Sequence, residues 1–110
     1  MNKKSLTALA REQLDLAARA GSGRSASTVY GGHEHVLRQT LIALMAGRKL
    51  DDHENPGEAT VHVLRGRVQL VSGDVSWEGS AGDVIIVPEG THSLEALHDS
   101  AVLLTVAKLR

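Results

Sequence analysis

Leu6, Leu9, Ala10, Leu14, Ala17 and Ala18 recur at the three- and four-residue spacing of one helix face, which predicts an amphipathic helix over residues 5–20. Ser5 stands where a cap belongs, and Gly21-Ser22-Gly23 ends the pattern. Arg11, Glu12, Asp15 and Arg19 occupy the opposite face. The Leu stripe must therefore lie on another surface, of the same domain or of a partner subunit.

After Gly23 the pattern changes to short runs rich in Leu and β-branched residues, separated by Gly, Asp, Asn and Pro. Strands are predicted at 26–30, 35–45, 59–64, 67–71, 75–78, 83–87, 92–96 and 101–108. Turn residues separate them at Gly31-Gly32, Gly47, Asn55-Pro56-Gly57, Gly66, Ser72-Gly73-Asp74 and Gly79 to Gly82. No helical pattern falls between the strands, so an antiparallel sandwich or barrel is expected and a parallel βαβ sheet is not. The chain divides into a helix and linker, residues 1–23, and one barrel domain, residues 24–110. Leu41-Ile42-Ala43-Leu44-Met45 is apolar on both alternating faces. One face suits the core and the other a partner, so a homodimer is expected.

Composition narrows the function. The 110 residues can bury one core. With no Cys, disulfides, zinc ribbons, iron–sulfur clusters and thiol nucleophiles are excluded. A net charge of −1 and 2% aromatic residues leave neither a basic footprint nor stacking platforms, so no nucleic-acid partner is expected. No segment approaches the ~20 apolar residues of a membrane helix, and a soluble cytoplasmic protein without a membrane partner is the expectation. Gly21-Ser22-Gly23 lacks the preceding strand and following Lys of a phosphate loop, and no Gly-x-Ser-x-Gly elbow occurs.

Gly82-Asp83-Val84-Ile85-Ile86-Val87-Pro88-Glu89-Gly90-Thr91-His92 resembles the second motif of the cupin superfamily: a Gly, five residues, Pro-x-Gly and then a His. The Gly turns the chain into a buried strand, and the Pro-x-Gly corner aims the His back into a barrel mouth. The likeness extends over residues 35–107 and implies an all-β fold, an antiparallel cupin barrel of jelly-roll type, preceded here by one α-helix. Pro88 to His92 is one residue shorter than the motif, and no Asn follows.

The first cupin motif, His-x-His, four residues, an acid, six residues and a Gly, is matched imperfectly. His53 and Glu58 have the expected spacing, with Asp51 in place of the first His, but seven residues separate Glu58 from Gly66. Anchored on Gly66, the acid position falls on Ala59. The registers differ by one residue, which in a strand exchanges inner and outer faces. In the Glu58 register the resemblance implies a site of Asp51, His53, Glu58 and His92 for a divalent transition ion (Fe, Mn, Ni, Co or Zn). In the other, Asp52 and Glu54 take the two His positions, Glu58 turns outward, His53 points to solvent and His92 has no metal partner among the His residues of the first motif.

His62, between Val61 and Val63, faces inward as a substrate-binding group if Glu58 does, and is otherwise a half-exposed strand residue. His33-Glu34-His35 reads as a solvated loop, His98 as part of a turn, and Arg38, Arg65 and Arg67 as outer-face residues without a role. Two functions fit: a cupin with a barrel-mouth pocket for a metal and a small polar substrate, or a metal-free module that binds a small-molecule ligand or regulates. A third assigns the chain to dimerisation through its helix. The reaction, if there is one, is left open, because one fold hosts many chemistries.

Overall fold

The structure is a computed structural model and describes residues 2–54 and 57–108, the side chains of His53 and Glu54 excepted. Helix α1 (Leu6–Arg19) precedes nine strands: β1 (Arg24–Tyr30), β2 (Leu37–Leu44), β3 (Lys49–Glu54), β4 (Gly57–Arg65), β5 (Arg67–Ser72), β6 (Val75–Ser80), β7 (Val84–Ile86), β8 (Thr91–Ala96) and β9 (Ser100–Lys108). They form a five-stranded sheet, β1-β2-β9-β4-β7, facing a four-stranded sheet, β3-β8-β5-β6. Every pairing is antiparallel. The two sheets make a flattened barrel.

Eight of these strands answer to expected ones. β3 does not. Its Lys-Leu-Asp-Asp-His-Glu sequence has only Leu50 to bury, which is enough because β3 lies at a sheet edge and pairs only with β8. Asp51 and Asp52 span the step that Ser93 alone spans on β8, a β-bulge between Leu50↔Leu94 and His53↔His92.

The main core lies between the sheets. Ile42, Leu44, Val61, Val63 and Val102 meet Val68, Leu70 and Leu94 across the interface. Gly79 lets β6 close over the edge of the larger sheet, since a Cβ there would stand 2.9 Å from Ile85 Cδ1. A second, smaller core lies on the outer face of the larger sheet, where α1 packs through Ala10 onto Leu41 and Ala101. Ala10 and Ala17 present almost no surface to solvent, so helix and sheet approach closely. Buried Gln13 accepts a hydrogen bond from Ser25 of β1, and Ser5 caps α1 by accepting from the Ala8 N–H (3.1 Å). The apolar face of β2 that the sequence offered to a partner subunit is thus covered by the chain's own helix.

At one end of the barrel the β4–β5 turn is locked to the start of β9. Gly66 has φ +84°, and a Cβ there would stand 2.3 Å from both the Asp99 carbonyl oxygen and Ser100 Oγ. The buried Ser100 hydroxyl accepts from the Arg67 N–H (3.0 Å) and donates to the His98 carbonyl (2.7 Å).

Two substitutions test this packing. Ala17→Leu forces extra volume into the helix–sheet contact and is expected to lower unfolding free energy by about 1–3 kcal/mol in urea titration. Gly66→Ala combines an unfavourable φ with a backbone clash and is expected to cost more than Ala17→Leu; a smaller loss would show that the turn is not fixed by that contact.

Candidate functional site

β4 decides which candidate residues face inward. Ala59, Val61 and Val63 are buried between the sheets, while Glu58, Thr60, His62 and Leu64 alternate with them onto the outer face. Glu58 is solvent-exposed and pairs with Ala107. On β4 the chain adopts the register anchored on Gly66. Glu58 and His62, expected inward in the other register, therefore stand on the opposite side of the sheet from the barrel interior. His62 lies half-buried in a row with Leu103 and Val84.

His92 does face inward. It is 5% exposed and sits at the loop end of β8. It borders a cavity whose other walls are seven aliphatic side chains, among them Leu50, Val61, Leu70 and Leu104. The free volume there, about 10 Å³ measured at the centre of a water-sized sphere, is about what one water molecule occupies. The bulge in β3 places the His53 backbone directly across from His92; the His53 side chain lies outside the described residues. Asp51, within the bulge, is exposed.

A first-row metal ion needs about three or four protein donors around one point. Among the described residues no three His, Asp or Glu side chains converge in that way. His92 borders an aliphatic cavity, Glu58 is on the far side of β4, and the inward position beside it is Ala59. The described donors do not by themselves make up the transition-metal site that the motif implied.

Arg38 was missed as an inward residue. It pairs with Val106, which pairs with Ala59, so all three project from the inner face of the larger sheet. The signal was the two-residue phase that Arg38 shares with Ile42 and Leu44. It was ambiguous because Leu41 and Ala43 are equally apolar, and only α1 explains why both faces of β2 are buried. His33, Glu34 and His35 form a loop as expected, with Glu34 3.6 Å from His35 Nδ1 and the His35 ring edge-on to Tyr30. His98 is exposed at the opposite end of the barrel.

No protein-family model and no curated protein matches the chain. Among solved structures, a conserved protein of unknown function from Streptococcus pyogenes is 25% identical, with a TM-score of 0.73 over 83% of this chain and 79% of that one. An RmlC-like cupin from Desulfovibrio desulfuricans is 26% identical, with a TM-score of 0.67 over 76% of this chain and 81% of that one. KdgF from Halomonas sp. shares the fold at 21% identity, with a TM-score of 0.65 over 79% and 82% of the two chains. The chain has the cupin fold and is similar in structure to small RmlC-like cupin proteins. No described helix is long and apolar enough to cross a membrane.

The register has a direct test. Glu58→Gln is expected to change stability by less than about 0.5 kcal/mol in chemical denaturation, because the carboxylate is in water. Ala59→Glu buries an unpaired carboxyl and is expected to cost at least about 2 kcal/mol or abolish folding. Equal effects would mean that the two residues do not face opposite ways.

Proposed function

We propose that this protein is a cupin module that binds a small molecule at the His92 end of its barrel without a metal ion. The observation that carries this reading is the position of His92. Among the described residues it is the one titratable side chain in the buried interior, and it is the one polar side chain on an otherwise aliphatic cavity. An imidazole can donate and accept hydrogen bonds, and a low-dielectric wall strengthens whichever bond it makes to a ligand.

The size of the cavity limits the ligand. Room for one water admits a methyl-sized group, so a short aliphatic end enters and a polar group stays at the mouth. Binding is favoured over catalysis because acid–base or nucleophilic chemistry uses a second reactive group within hydrogen-bond reach. The described acidic candidates, Asp51 and Glu58, are both exposed.

Metal content and ligand binding test the two halves of this proposal. Full-length protein stripped with a chelator and re-equilibrated with Zn²⁺, Ni²⁺, Mn²⁺, Co²⁺ or Fe²⁺ is expected to keep less than about 0.1 equivalent by mass spectrometry. About one equivalent, lost in His92→Ala, would establish a metal cupin instead. Titration with propionamide is expected to shift the amide resonances of Leu50, His92 and Leu94, and His92→Ala is expected to remove the shift. No response at these residues in the unaltered protein would overturn the binding reading.

A further inference from the structure

We infer that the ligand is a short aliphatic carboxylic acid and that Arg38 binds its carboxylate; this rests on the reading of the His92 cavity as a binding site. Arg38 and His92 belong to the same end of the barrel. β2 runs from Leu37 to Leu44 and β8 from Thr91 to Ala96. The far ends of these strands are joined where the Ala96 carbonyl accepts from the Gly47 N–H (2.8 Å) in the turn after β2. Arg38 and His92 therefore both lie at the opposite, loop end. Arg38 projects from the inner face of its sheet, one step beyond Thr40, which shares a row with the cavity residues Leu104 and Val61.

A guanidinium here asks for an anion. The Arg38 Nε atom is buried and takes no acceptor among the described residues. Among the described residues, the guanidinium groups with carboxylate partners are instead Arg19, 2.8 Å from Asp15, and Arg67, against Glu78. Glu34, in the loop leading to β2, sits against His35 instead. Leaving a buried donor unsatisfied is costly, and a cationic one more so. Because arginine keeps its charge at any physiological pH, the complement must be an acceptor rather than a change of protonation. A carboxylate matches the planar fork with two parallel hydrogen bonds.

The neighbouring surfaces restrict the rest of the molecule. Val106, Ala59 and the aliphatic cavity give its body only hydrocarbon to touch, with the Thr40 hydroxyl and His92 as polar exceptions. The described acidic side chains near this end, Glu34, Asp51, Asp52, Glu58 and Glu89, are exposed, where salt screens their repulsion of an anion. The ligand this implies has a methyl end for the cavity, a short aliphatic body and one carboxylate for Arg38. The competing account is that Arg38 only lays its stem along the barrel wall and leaves its charge in water.

Propionate and propionamide have the same shape and differ in charge. Nuclear magnetic resonance titration of the full-length protein at pH 7 is expected to show propionate binding at least about tenfold more tightly than propionamide. Arg38→Gln is expected to abolish that preference. Arg38→Met serves the same purpose should the Gln variant lose its circular dichroism. Arg65→Gln, at the other end of β4, is expected to keep the preference. Equal binding of both probes to the unaltered protein, or a preference that survives Arg38→Gln or Arg38→Met, would overturn the carboxylate inference and leave the His92 cavity standing. Failure of both probes to shift any resonance near His92 would overturn the two together.

Discussion

The phase of β4 governs this molecule. It lies between β9 and β7, and its alternate residues build the main core. A shift of one residue would turn Ala59, Val61 and Val63 to the outside and bring Glu58, Thr60 and His62 into hydrocarbon. Three buried aliphatic side chains are worth several kcal/mol, and burying an unpaired carboxylate would cost a comparable amount. Gly66 and Ser100 pin one end of the strand, because no side chain fits between that turn and the start of β9. The outward placement of Glu58 and His62 follows from that choice.

The larger sheet is covered on both faces, and the two cores use its strands differently. Ile42, Leu44 and Val102 face the smaller sheet, while Leu41 and Ala101 face α1. This explains a β2 that is apolar at consecutive positions, a pattern more usual in parallel sheets than in an antiparallel barrel. The helix reaches the sheet closely because it turns alanines towards it. Its one buried polar residue, Gln13, is satisfied by Ser25.

The loop end brings together the candidate functional groups. There the inner faces supply His92 and Arg38, and the walls below them are aliphatic. The motif that would supply a metal's donors contributes Ala59 at the inward acid position, and the bulge in β3 rearranges what surrounds it. A cupin barrel accommodates such changes because its core lies below the mouth, so altering the mouth leaves the packing that holds the sheets together. The fold for that reason does not choose the ligand.

The sequence by itself determined the helix, eight of the nine described strands, their antiparallel arrangement and the inward position of His92. Each of these rests on local information: a helical stripe ending at glycines, two-residue alternation bounded by turn residues, and a Pro-x-Gly corner ahead of a His. Tertiary structure decided the rest. β3 carries too few apolar residues to announce itself, and its pairing with β8 makes it a strand. The two registers of the first motif were equally consistent with spacing, and only the cost of burying Glu58 against Ala59 separates them. Arg38 belonged to either face of a strand that is apolar on both, until α1 took one face and left Arg38 on the other. Local pattern fixes periodicity, but which face meets the core depends on what packs there, and that partner comes from elsewhere in the chain.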